Sequence, residues 1–254
     1  MALIKSSSEI KQLRVGGKIL SKILRKVAQK VKPGVTTNEL NDLAEELILT
    51  AGGEPSFKGY GGPNNPYPAT LCTSVNDEIV HGIPSDYILS KGDIVSLDVG
   101  MRYPRVSGLY TDMSITVPVG RIDNETKDLL KVTKESLDIW IKNIKPGRSL
   151  NDIAKLVQNY IEKNNYSIVR DLVGHGVGHD VHEEPQIPNY NSPNFDMELK
   201  EGMVIALEPM VCVGDYRIRE KKDGWTYATL DGSLSAHFEH TVAVTNRGCI
   251  VITK

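Results

Sequence analysis

Four acids stand out: three sit in or beside a run of apolar, β-prone residues, and a repeat in the chain matches the fourth, Glu239, to one of them. They are Asp98 in Ser96-Leu97-Asp98-Val99, Asp112 ahead of Met113-Ser114-Ile115-Thr116-Val117, Glu208 in Leu207-Glu208-Pro209-Met210, and Glu239 in His237-Phe238-Glu239-His240-Thr241. An unpaired carboxylate in such surroundings is expensive to bury. A single acid of this kind reads as a strand-end residue facing water. Four invite a different explanation, because the chain repeats itself around them. Lys32-Pro33-Gly34 recurs as Lys145-Pro146-Gly147, and His81-Gly82-Ile83-Pro84 as His182-Glu183-Glu184-Pro185. The run from Gly92 to Asp98 recurs from Gly202 to Glu208, and that from Asp112 to Val117 recurs from Glu239 to Val244. Four features in the same order predict two α+β halves related by a pseudo-two-fold, with Asp98 matched to Glu208 and Asp112 to Glu239.

Four carboxylates drawn together repel one another unless they are protonated or neutralised. Two divalent cations would neutralise them, and carboxylates bridging two ions about 3.5–4 Å apart are how hydrolytic two-metal sites are built. The histidines, His81, His175, His179, His182, His237 and His240, all fall outside the expected helices. The densest group, Gly174-His175-Gly176-Val177-Gly178-His179-Asp180-Val181-His182, is flanked by glycines that let backbone approach a ligand closely. One or two of these histidines are expected to be ligands or proton carriers, while His179, His237 and His240 keep a structural role.

The elements that must position these residues follow from periodicity. Apolar residues at helical spacing predict a helix over 8–31, stopped by Lys32-Pro33-Gly34, and a second from the capping box Thr36-Thr37-Asn38-Glu39 to Gly52-Gly53. Another helical pair is expected over 124–144 and 149–164. Alternating β-branched residues predict paired strands over 94–99 and 110–117, with further strands over 169–173, 203–209 and 240–253. The stretch 54–68, dense in Gly, Pro and Asn with Phe57, Tyr60 and Tyr67, reads as a loop presenting ring faces, a pocket rim.

Composition narrows the partners. The 254 residues carry 30 basic and 32 acidic side chains, a net charge of −2, so bulk charge gives no support to a nucleic-acid substrate or a membrane-surface role. At 40% hydrophobic and 24% charged residues the chain is an ordinary globular one that needs no disulfide staples. Cys72, Cys212 and Cys249 are odd in number, far apart and without CxxC spacing, which fits a reduced cytoplasmic protein. The start of the chain lacks the apolar core of a signal peptide, and no run is long enough to span a membrane.

Taken together, His81-Gly82-Ile83-Pro84, Ser96-Leu97-Asp98-Val99, the strand holding Asp112, the stretch from Gly174 to Pro185, Leu207-Glu208-Pro209-Met210 and Ala236-His237-Phe238-Glu239-His240-Thr241 resemble the type I methionine aminopeptidases, in their short bacterial-like form. The resemblance runs over nearly the whole chain. It implies the pita-bread fold of that metallopeptidase family, an α+β architecture of two pseudo-symmetric halves, about 1–120 and 121–254, with a central antiparallel sheet covered by helices. A single catalytic domain over 1–254 is then expected. The resemblance further implies that Asp98 binds one metal, that Asp112 and Glu239 bridge both, and that His175 and Glu208 complete the other's shell. Glu208 is implied as the proton shuttle. His81 and His182 match the family's two histidines that contact the substrate amide, and Tyr67 and Trp225 match positions lining the methionine pocket. A site of four carboxylates and one imidazole suits Mn, Fe(II), Co or Zn. The implied substrates are the N-termini of nascent polypeptides near the ribosome, cut when the residue after methionine is small, by a monomer in the cytoplasm.

Three departures from the family pattern bear on pocket shape: Val181 replaces an aromatic residue, Gly61 to Pro66 look like an insertion, and the Asp98 to Asp112 gap is longer. Relatives in the same fold that cleave next to proline usually carry an extra N-terminal domain, for which the position of Asp98 leaves no room, and the type II enzymes carry a long helical insertion not seen between His182 and Glu208. The alternative from another class is a pita-bread binding module or nascent-chain factor without turnover. The intact set of five ligands argues against it.

Overall fold

The computed structural model describes residues 4–254. Four α-helices occur among them: α1 (Ser7–Ala28), α2 (Thr37–Thr50), α3 (Asn124–Asn143) and α4 (Leu150–Lys163). Each starts at a side chain that satisfies an orphan backbone N–H. Ser6 and Thr36 form capping boxes with Glu9 and Glu39, and Asp123 and Ser149 cap α3 and α4. Helix α1 ends at Ala28, three residues short of the expected 31, because the chain turns through Lys30 and Val31 toward Pro33, which disfavours helical backbone before it. No helix among the described residues is long and apolar enough to cross a membrane.

Fifteen strands complete the described fold: β1 (Glu54–Pro55), β2 (Leu71–Val75), β3 (Glu78–Val80), β4 (Ile94–Tyr103), β5 (Leu109–Pro118), β6 (Ser167–Ile168), β7 (Gly174–Gly176), β8 (Glu183–Ile187), β9 (Val204–Leu207), β10 (Met210–Cys212), β11 (Ile218–Glu220), β12 (Tyr227–Thr229), β13 (Ser235–His237), β14 (His240–Thr245) and β15 (Gly248–Val251). In the first half, β4 is the hub of an antiparallel sheet that pairs it with β5, β2 and β1. In the second half five strands run in the order β15-β14-β9-β7-β8. Two smaller sheets, β13-β10-β6 and β11-β12-β3, lie beside them.

Each helix pair covers its own core. Leu20, Leu24 and Val27 of α1 with Leu40 and Ile48 of α2 pack on Leu97, Val99 and Met101 of β4. Trp140 of α3 and Ile153, Val157 and Ile161 of α4 pack with Ile205, Leu207, Val242 and Val244 of β9 and β14. Burying each of these side chains stabilises the fold by roughly 1.5–3 kcal/mol. The two large sheets meet where β5 runs past residues 237–241. Glu239 N–H donates to the Ser114 carbonyl at 2.9 Å, and His237 N–H donates to Thr116 Oγ1 at 2.8 Å.

Helices α2, α3 and α4 and the 94–99 and 110–117 pair match expectation, whereas the strand expected over 203–209 ends at Leu207 and leaves Glu208 and Pro209 beyond it. The expected strand over 169–173 does not form. The strand is Ser167–Ile168, which pairs with Cys212 and Val211, and the chain then leaves the sheet to carry Leu172 and Val173 to the cleft. The 240–253 run is a hairpin of β14 and β15, turned at Asn246-Arg247.

Candidate metal centre and substrate cleft

Register places the first two acids together. Asp98 on β4 opposes Ser114 on β5, and Gly100 opposes Asp112, so Asp98 and Asp112 are diagonal neighbours on one face of the sheet, opposite to the face that packs under α1 and α2. In the other half, Ala206 of β9 opposes both His175 of β7 and Thr241 of β14. Glu208 lies just past the end of β9, and Glu239 sits in the step between β13 and β14. All four acids and His175 line one cleft of about 470 Å³. Asp112, His175 and Glu239 bring one ligand atom each within 4.8 Å of one another, and His175 Nε2 lies 3.4 Å from Glu208 Oε1.

These acids do not face water: Asp98, Asp112, Glu208 and Glu239 are 8%, 4%, 9% and 2% exposed. Burial, reinforced by mutual repulsion, holds the carboxyls of Asp98, Glu208 and Glu239 well above their ordinary range, and burial lifts Asp112 to about 7. Asp98 Oδ1, Glu208 Oε1 and Glu239 Oε1 are buried without a hydrogen-bond partner. Orphaned carboxylate oxygens facing one another are costly in a metal-free protein and are what an oxygen-ligated divalent cation satisfies, so the donor set fits a metal. His175 is oriented for the same purpose. Its Nδ1 lies 2.9 Å from the Gly176 carbonyl, to which Nδ1–H donates, leaving the Nε2 lone pair toward the acids. Burial lowers its pKa to about 3, so the ring is neutral.

The remaining wall is aromatic and apolar. Tyr67 is buried, donates to the Gly82 carbonyl at 3.0 Å and meets Trp225 edge-on at 5.3 Å between centroids. His81 sits between Trp225 and Tyr227, its backbone in the left-handed region at φ +59, and burial lowers its pKa to about 4. His182 stands at the open lip, packed edge-on against His175 at 4.3 Å. Thus all nine residues singled out from the sequence border the same cleft.

Three further residues of the site were not anticipated. Cys72 and Met210 line the cleft, and His237 is fully buried with its Nε2 3.7 Å from Glu208 Oε2 and neither ring nitrogen hydrogen-bonded. His237 thus lacks the hydrogen-bond partners that usually hold a structural histidine. Its place two residues before Glu239 was the available signal. His179 and His240 do have structural partners, Glu9 at 3.0 Å and Thr253 Oγ1 at 3.0 Å. The departures in the rim are also accounted for. Gly61 to Pro66 bulge outward from a base closed by Tyr67 N–H donating to the Tyr60 carbonyl at 2.7 Å, so Tyr67 keeps its place in the wall. Val181 packs behind the wall with Phe57, Tyr67 and Cys72.

A fold of paired helices over antiparallel sheets, with carboxylates and one imidazole gathered at the sheet junction, is that of a metallopeptidase, and the chain belongs to metallopeptidase family M24, whose pattern matches residues 11–246. It is 44% identical to a methionine aminopeptidase of Clostridium perfringens over all of this chain and 99% of that one, and 43% identical to methionine aminopeptidase 1 of Bacillus subtilis over the full length of both. The crystal structure of methionine aminopeptidase from Thermotoga maritima superposes with a TM-score of 0.93 at 44% identity, covering 99% of this chain and 98% of that one. The fold is thus the expected pita-bread architecture.

Proposed function

We propose that this chain removes the N-terminal methionine from nascent proteins and peptides when the next residue is small (Gly, Ala, Ser). The observation that carries the proposal is one cleft in which an aromatic and apolar wall meets four buried carboxylates, three of which have an oxygen without a hydrogen-bond partner. The single catalytic unit spans 1–254, its halves meeting near residue 120. Two divalent ions, drawn from Mn, Fe(II), Co or Zn, would be held by Asp98 on one, by Asp112 and Glu239 on both, and by His175 and Glu208 on the other. When bound, the ions supply charge that neutralises the carboxylates and Lewis acidity that polarises the scissile carbonyl and acidifies water.

The chain's own groups do the rest. Phe57, Tyr67, Cys72 and Trp225 take the thioether and exclude water around it. His81 and His182 donate to the substrate amide, stabilising the oxygen on which negative charge develops. Glu208 accepts a proton from water at a carboxylate oxygen as the water oxygen bonds to the scissile carbonyl carbon, and returns that proton to the departing amine nitrogen as the C–N bond breaks. Turnover is favoured over a binding module because the site includes a proton carrier as well as a pocket.

The proposal extends to place and partners. Six cations, Lys11, Arg14, Lys18, Lys22, Arg25 and Lys26, face outward along one side of α1, a stripe suited to phosphate backbones such as those of ribosomal RNA around an emerging chain. The three free thiols suit the reducing cytoplasm, and a monomer suffices because one chain contributes every site residue. The purified protein is expected to release methionine from Met-Ala and Met-Gly peptides and to leave Met-Lys and Met-Leu peptides intact. Equal cleavage of all four would overturn the restriction to a small second residue.

A further inference from the structure

His182 is the one proposed amide donor at the open lip, where a ring is free to rotate or to exchange its proton between nitrogens. A neutral imidazole has one donor nitrogen and one acceptor, so which nitrogen carries the hydrogen decides whether it can donate to a substrate at all. His182 Nδ1 lies 2.7 Å from the hydroxyl of Tyr60, and the two rings meet edge-on with centroids 5.0 Å apart. On its other side the ring packs on His175. A phenol is a stronger donor than acceptor toward an imidazole nitrogen, so the Tyr60 O–H donates and Nδ1 accepts. The hydrogen of His182 is then on Nε2. Burial and the carboxylate of Asp180 keep the Tyr60 hydroxyl protonated, as this arrangement requires.

Tyr60 is 40% exposed and is held by its backbone rather than by burial. Its N–H donates to the Phe57 carbonyl at 2.9 Å, and its carbonyl accepts from Tyr67 N–H at 2.7 Å, so it forms the base of the outward loop 61–66. That loop is pinned to the pocket wall. Trp225 Nε1–H donates to the Asn65 carbonyl at 3.1 Å, and Gly61, at φ +96, lies so close under the indole that a Cβ there would be 2.5 Å from Trp225 Cη2. The turn carrying His182 is anchored from the other side, where Glu183 pairs with the buried Lys5 at 2.5 Å and accepts from Asp180 N–H at 3.1 Å.

We infer that Tyr60 is a positioning residue for His182, its hydroxyl fixing the ring as the Nε2–H tautomer, and that the 61–66 loop exists to hold Tyr60 against it. This rests on the assignment of His182 as an amide donor. The loop is then a part of the catalytic geometry rather than a surface elaboration.

The test is imidazole ¹⁵N spectroscopy of the metal-free full-length protein above the ordinary histidine pKa, in wild type and Tyr60→Phe, beside steady-state kinetics of the metal-loaded forms. Wild type is expected to show His182 Nδ1 as an acceptor nitrogen and Nε2 as the protonated one. Tyr60→Phe is expected to move both signals toward tautomer averaging and to lower kcat about 10- to 100-fold, with KM within about twofold. Unchanged His182 signals in Tyr60→Phe overturn the inference whether or not the rate falls, since a rate loss alone would then belong to the loop. Incorporating 3-fluorotyrosine at position 60, a stronger donor of nearly the same shape, should shift the Nδ1 signal in the opposite sense to Tyr60→Phe. No shift there is likewise contrary. The spectra stand apart from the function: a wild-type protein that releases no methionine defeats the proposed activity and leaves the tautomer result in place.

Discussion

Asp112 is where burial, charge and hydrogen bonding meet. Its backbone N–H donates to Thr241 Oγ1 at 3.0 Å, its carboxylate accepts from Met113 N–H at 2.9 Å, and it shares a face with Asp98. The Met113 contact favours the charged form, yet burial outweighs it and lifts the carboxyl from 3.8 to about 7. With Asp98, Glu208 and Glu239 also held well above the ordinary carboxylate range, the metal-free site keeps protons at about pH 6 that ordinary carboxyls have lost. Metal binding must expel those protons, while His175, already neutral, contributes none. Calorimetric titration of the metal-free protein with Mn(II) or Co(II) at that pH, in buffers of different ionisation enthalpy, is expected to report release of more than one proton per protein. Release of none would mean that the acids are ionised in the metal-free state. The same raised values make the metal-free fold most favoured where the carboxyls are protonated. Its stability is expected to fall as pH rises from 3.8 through about 7, and divalent metal should abolish that loss.

At the scale of elements, the site depends on how β5 is fastened to the segment that carries Glu239. Thr241 Oγ1 donates to the Asp112 carbonyl at 2.8 Å while accepting from its N–H, and Thr116 Oγ1 both donates to and accepts from the backbone of His237 at 2.8 Å. Two hydroxyls therefore take the place of ladder bonds between sheets whose strands diverge. Thr241→Val keeps the shape and removes the bonding, leaving a buried N–H and C=O of Asp112 unpaired. It is expected to cost about 1–3 kcal/mol in urea denaturation and to weaken metal binding about 10- to 100-fold. Wild-type affinity in that variant would show that the sheet junction does not set the ligand geometry. The helices and the long β4–β5 pair could be read from the sequence because their signals are local: caps, 3.6-residue periodicity and β-branched alternation. The acids could be read because the repeat names them twice. The short strands β2, β3, β11, β12 and β13 could not, since three to five residues carry no period and each is formed by its partner. His237 and Cys72 escaped for a related reason: their roles come from neighbours more than 20 residues away, Glu208 for His237 and the Asp98 and Asp112 faces for Cys72.

The whole molecule divides its charge in a way that the net value of −2 conceals. Four acids are withdrawn into the junction between the halves, and six cations are displayed along α1 on the outside. Reversing Lys18 and Lys22 to Glu is expected to reduce salt-sensitive co-sedimentation with ribosomes and to leave methionine release from free peptides unchanged. Undiminished co-sedimentation would remove α1 from the contact. The two halves themselves supply unlike parts: one brings Asp98, Asp112, His81 and the aromatic rim, the other His175, His182, Glu208, Trp225 and Glu239. Neither half alone holds a complete donor set, so activity, metal binding and the closed junction are expected to stand or fall together. The most direct measurement is methionine release from a Met-Ala peptide by the purified protein, stripped with a chelator and then titrated with Mn(II) or Co(II). Release is expected to vanish on stripping and to return as metal is added back, with Asp112→Asn remaining inactive throughout. Full release by the stripped protein, or by Asp112→Asn, would contradict the account.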